Sequence, residues 1–229
     1  MARRKNTKAD DTLVDIAEVK AQAESFFETN QKYILGGIAA IAIVIGGWFA
    51  YKYLYIQPKE KEAIEQISKA QEQFEKDSFK LALTDPGSGF PGFLDIIEKY
   101  SGTKAANSAN FYAGVCYLHL GQFDAAIQYL KEFDAGDEVL PISKNGALGD
   151  AYAEKGDLDQ AMSYYKKAVD AGDNEVLTAY YLKKVGMLNE KQGNFAAAKK
   201  AYETIKEKYP NSPDGLGIDK FIARAGAKS

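Results

Sequence analysis

The sequence predicts an all-α protein: a single N-terminal transmembrane helix followed by a solenoid of helical hairpins. Three observations carry this. Tyr33 to Tyr51 (YILGGIAAIAIVIGGWFAY) is nineteen residues without a charge. Segments 107–133, 142–168 and 179–205 align with small residues in register, at periods of 35 and 37 residues. Within each segment apolar residues recur at helical rather than alternating spacing. Composition agrees, since 46% hydrophobic and 27% charged residues in 229 are ordinary globular values that exclude wholesale disorder or a polytopic membrane protein. The formal charge of −3, from 29 Lys+Arg against 32 Asp+Glu, offers no cationic excess to neutralise phosphates, so nucleic acid is not an expected partner. One Cys and one His form neither an internal disulfide nor a four-ligand zinc site, and no metal or cofactor is expected.

Residues 1–32 read as a polar tail and 33–56 as the anchor. Nineteen residues rising ~1.5 Å each nearly match a ~30 Å hydrocarbon core. Tyr33 at one end and Trp48, Tyr51, Tyr53 and Tyr55 at the other suit interfacial belts, with Lys32 and Lys52 placed to snorkel. A cleaved signal peptide fits less well, because the apolar run is long, follows a polar tail and lacks a small-x-small cleavage site. The tail carries Arg3, Arg4, Lys5, Lys8, Lys20 and Lys32, while Lys52, Lys59, Lys61 and Lys69 follow the helix, so charge favours a cytoplasmic N-terminus only by a small margin. Within 11–28, Leu13, Ile16, Val19 or Lys20, Ala23 and Phe27 give a short amphipathic helix. In the anchor, Ala42, Gly46 and Ala50 form a small-residue face suited to packing against another membrane helix.

The domain from 57 to 229 contains the repeats, at about 107–138, 142–174 and 179–210. Gly114, Gly149 and Gly186 coincide, as do Gly121, Gly156 and Gly193, then Ala126, Ala161 and Ala198. The connecting strings also recur, as Asp134-Ala-Gly-Asp before Val139-Leu140 and Asp170-Ala-Gly-Asp before Val176-Leu177. In the second helix of each unit, Phe123, Ala126, Ile127, Leu130 and Phe133 recur as Leu158, Ala161, Met162, Tyr165 and Ala168, and less regularly as Phe195, Ala198, Lys199, Tyr202 and Ile205. These offsets lay one apolar stripe along a helix. The first Gly and the Ala let paired helices approach closely; the Gly of GQF, GDL and GNF ends the first helix, where left-handed backbone is cheap. This pattern, with Tyr117 and Tyr152 (Asn189 in the third unit) and a closing Pro210, resembles the tetratricopeptide repeat. Residues 59–83, with Ile64, Ile67, Phe74 and Leu81 at helical intervals, and FLDIIEKY at 93–100 read as a degenerate first hairpin. Ile218, Phe221, Ile222 and Ala225 give a capping helix over 214–225.

No catalytic constellation emerges, and no enzyme is expected. GSGFPG at 87–92 matches the dinucleotide fingerprint in letters only, since prolines punctuate it and a helical run precedes it. His119 and Cys116 sit on a first helix among apolar residues and read as structural.

Function is expected in the groove that first helices of a solenoid line. The register places Phe111, Tyr112, Val115 and His119 there, then Asp150 and Glu154, then Tyr180, Lys183, Lys184, Met187 and Glu190. Aromatic, Met and charged side chains in one trough suit a polypeptide segment rather than a small-molecule substrate. The whole order of tail, anchor, GFLDIIEKY and GTKAAN junction and repeat glycines resembles the YfgM-type ancillary subunits of the SecYEG translocon. That resemblance implies a bacterial inner-membrane protein with a cytoplasmic N-terminus and a periplasmic repeat domain, whose partners are the SecYEG translocon, a PpiD-like chaperone and emerging secreted chains. The alternatives are an anchored scaffold for another envelope assembly, in outer-membrane biogenesis or cell division, and a cryptic enzyme.

Overall fold

The computed structural model describes residues 7–136 and 139–228, with side chains from Val19 onward. Arg3, Arg4, Lys5, Asp137 and Glu138, the side chain of Lys8, and the side chains of Leu13 and Ile16 in the expected amphipathic face lie outside the described residues. Among the described residues all regular structure is helical. The chain divides into two units, Met1–Ile56 and Gln57–Ser229.

The first unit is α1, Thr7–Ala50, followed by a π-helical turn, Tyr51–Ile56. It is long and apolar enough to cross a membrane, and none of its apolar stretch is buried by protein. The widened turn has a local cause. Pro58 lacks the N–H that would bond the Leu54 carbonyl, and its ring crowds that carbonyl, so an i→i+5 turn just before it relieves both. Aromatic rings gather at this end, with Phe49 stacked on Tyr53 at 5.9 Å and Lys52 Nζ 5.0 Å over the Trp48 ring.

The second unit runs α2 Gln57–Glu75, α3 Phe79–Thr84, α4 Phe93–Lys99, α5 Lys104–His119, α6 Phe123–Glu132, α7 Leu140–Glu154, α8 Leu158–Asp170, α9 Leu177–Lys191, α10 Phe195–Lys208 and α11 Asp219–Gly226. Pairs α5/α6, α7/α8 and α9/α10 are hairpins, and one geometry ends the first helix of each. Gly121, Gly156 and Gly193 take φ of 72°, 85° and 79°. The next residue donates its N–H five residues back, from Gln122 to Tyr117 at 2.9 Å, Asp157 to Tyr152 at 2.9 Å and Asn194 to Asn189 at 2.8 Å. This left-handed stop satisfies carbonyls the helix leaves open.

Close approach within each hairpin depends on the earlier glycine. A Cβ on Gly114 would lie 2.6 Å from Leu130 Cγ, one on Gly149 2.4 Å from the Tyr165 ring, and one on Gly186 2.2 Å from the Tyr202 ring. Ala126, Ala161 and Ala198 are fully buried beside them. Four apolar clusters follow in sequence along the domain, each interface sharing helices with the next, so the core is continuous.

The first hairpin departs from the expected single run over 59–83. The chain reverses after α2 at Asp77, with φ 55°, and resumes as the short α3. Ala63, Ile67 and Ala70 face the core while Ile64 is exposed; after the break Ala82 and Leu83 turn inward and Leu81 outward. α5 is capped twice: Thr103 Oγ1 accepts from the Ala106 N–H at 3.1 Å, and the Glu60 carboxylate on α2 accepts from the N–H groups of Lys104 and Ala105. A carboxylate there satisfies open donors and complements the helix dipole. GSGFPG forms the loop between α3 and α4, where a Cβ on Gly92 would lie 2.3 Å from the Leu83 carbonyl oxygen. At the far end Gly217, with φ 91°, delays the expected cap, so α11 starts at Asp219 with Ile218 and Ala225 buried.

Candidate functional site

The C-terminal ends of α5 and α7 and the middle of α9 converge on an open cleft of about 500 Å³ lined by His119, Asp150, Glu154, Tyr165 and Lys184, with Phe123 at its edge. A second hollow of about 330 Å³ shares Glu154, Tyr165 and Lys184 and adds Leu158, Met187 and Lys191. The two form one trough. Its floor is polar and fixed. Tyr165 donates its hydroxyl to Asp150 Oδ1 at 2.7 Å, and Lys184 pairs with the same oxygen at 3.2 Å. Burial, then the Asp150 charge, raises the Tyr165 phenol far above its usual range. For Lys184 burial opposes the charge, but Asp150 and Tyr180 outweigh it and raise the ammonium. Both therefore keep their protons at neutral pH, and the floor is held by their hydrogen bond and ion pair to Asp150.

Of the residues the register placed in the groove, the structure brings together His119, Asp150, Glu154, Lys184 and Met187. The His119 ring stacks on Phe79 at 4.3 Å. Tyr180 stands exposed with Lys184 Nζ 5.3 Å over its ring. Lys183 and Glu190 lie on α9 but engage the C-terminal segment: Lys183 pairs with Asp214 at 2.7 Å, and Glu190 with Arg224 of α11. Phe111, Tyr112 and Val115 are used in packing within and between hairpins. Tyr112 stacks on Phe93 at 5.1 Å and meets Phe74 edge-on at 5.0 Å, Phe111 packs on Phe133 at 5.2 Å, and Val115 joins the α6/α7 cluster. Tyr165, Phe123, Leu158 and Lys191 line the trough without having been assigned to it; Tyr165, Phe123 and Leu158 belong to the second-helix stripe, and the Tyr165 ring fills the glycine gap at Gly149.

Cys116 is fully buried, and burial pushes its thiol up to about 12. No group of three His, Cys, Asp or Glu side chains is placed to hold a metal among the described residues. On α1, Ala42, Gly46 and Ala50 are exposed, with open space beside Gly46.

Models of the tetratricopeptide repeat match residues 93–138, 145–171 and 184–212. Those three stretches are tetratricopeptide repeats. The first match begins at α4 and so joins that helix to the α5/α6 hairpin; the others cover most of α7/α8 and the greater part of α9 with α10. No curated protein matches the chain significantly. Tetratricopeptide repeats make the domain a protein-interaction scaffold, following one helix long and apolar enough to span a membrane.

Proposed function

We propose that this protein is a membrane-anchored adaptor whose trough between α5, α7 and α9 holds a segment of another polypeptide, and that it serves as an ancillary subunit of the SecYEG translocon. In this reading the N-terminus is cytoplasmic, the repeats face the periplasm of a bacterial inner membrane, and the partners are the translocon, a PpiD-like chaperone and emerging secreted chains. The observation that carries the binding role is the trough itself. It exposes Met187 and the edge of His119 beside a satisfied Asp150–Lys184–Tyr165 floor, while Glu154 and Lys191 stay available to a ligand. Apolar anchors with a few polar groups around them suit a peptide chain. The translocon assignment rests on the resemblance of the anchor, the GFLDIIEKY and GTKAAN junction and the repeat glycines. Affinity purification of the full chain in mild detergent, followed by mass spectrometry, is expected to recover translocon subunits and the chaperone. A preparation rich in partners but lacking both would contradict the translocon role, and protection of the repeats from protease added to spheroplasts would contradict the orientation.

A further inference from the structure

The trough leaves one recurring feature of the sequence unused: the acidic strings that join the hairpins and close on Val-Leu. The described residues of these turns, which leave out Asp137 and Glu138, follow one another along one edge of the domain. The Asn107 side chain at the start of α5 holds Asp134 in both directions, each bond 2.8 Å. Gly172 in the next turn abuts α7, where an added Cβ would lie 3.1 Å from Ile142 Cδ1. Asp173 of that turn accepts the Tyr209 hydroxyl from the turn after α10. Along this row large aliphatic side chains stand in water: Val139 is 43% exposed, Leu140 50%, Val176 53% and Leu216 72%. Asp134, Asp170 and Glu175 are exposed on the same turns, and none takes part in an ion pair among the described residues. Lys131, the cation nearest the first turn in sequence, donates to the Tyr152 hydroxyl, and Lys144 donates to the carbonyl oxygens of Lys131 and Phe133. In the third turn Asp214 pairs with Lys183, and Asp219 at the start of α11 pairs with Lys206, whereas Asp134, Asp170 and Glu175 have no such cation among the described residues.

We propose that this edge is a docking strip for a cationic amphipathic segment of a partner protein, with aliphatic anchors against Val139, Leu140 and Val176 and lysine or arginine against Asp134, Asp170 and Glu175. Charge selects this occupant. An anionic lipid surface would be repelled, and a neutral apolar segment would desolvate the carboxylates without pairing them, whereas a basic amphipathic segment meets both demands.

The test uses the full chain in phosphatidylcholine nanodiscs and, as probe, a fluorescent amphipathic peptide of lysine and leucine at helical spacing. Binding above the level of empty discs is expected, with little for the same peptide carrying glutamate in place of lysine. Asp170→Asn with Glu175→Gln should weaken binding about three- to tenfold and flatten its salt dependence. Leu140→Ser with Val176→Ser should weaken it at least about tenfold and leave the salt slope unchanged. Glu154→Gln with Met187→Ser, in the trough, should leave it as it was, which separates this strip from the trough. Equal binding of both peptides, loss confined to the trough variant, or a wild-type dimer that Leu140→Ser with Val176→Ser dissociates would each overturn the proposal.

Discussion

Single side chains decide how closely the hairpins close. Gly186 leaves room for the Tyr202 ring, and the missing Cβ would otherwise lie 2.2 Å from it. Gly186→Ala forces Tyr202, fully buried, out of its place, and overpacking of this kind costs about 1–3 kcal/mol, readable as a lower denaturation midpoint in urea with an unchanged slope. Cys116 gives an independent probe of the same interior. With its thiol raised to about 12 and no exposed surface, it should resist thiol reagents near pH 8 in the folded protein and react fully once unfolded. Rapid labelling of the native chain would show that α5 is not packed as described.

Helix ends and helix pairs carry the next level of organisation. Glu60 bridges α2 to the start of α5, so Glu60→Ala should lower stability by about 0.5–2 kcal/mol, with Glu60→Gln milder because an acceptor remains. At the other end Arg224 hydrogen-bonds Glu190 and holds that carboxyl below its ordinary 4.5, with burial opposing. Because the folded value lies below the unfolded one, this pair stabilises fully above about pH 4.5 and fades as pH falls through the lower folded value. Protection of α11 amides from hydrogen exchange should therefore drop on acidification, and Glu190→Gln should lower it at neutral pH and flatten the response. The three hairpins were legible in the sequence because the positions that must be small, Gly114, Gly149, Gly186 and the three alanines, tolerate little else and so repeat visibly. The break at Asp77 was not, since FKLALTD is locally helical and the reversal serves the packing of α3 against α5. The trough was half legible: spacing finds the face of a first helix but not what covers it, and on α5 that face meets Phe74 and Phe93 of the irregular first hairpin.

Across the whole molecule, one helix long and apolar enough to span a membrane precedes a domain of packed helical hairpins whose core is continuous. If α1 spans the bilayer, the full chain should stay with membranes through an alkaline carbonate wash, and removing residues 33–51 should release it. The reading of the trough as a polypeptide site is tested most directly by photo-crosslinking in intact cells from a reactive amino acid replacing Met187 or Glu154, with Lys200 on α10 as the comparison. Adducts to another polypeptide from 187 and 154 but not from 200 are predicted; adducts from 200 alone would contradict it.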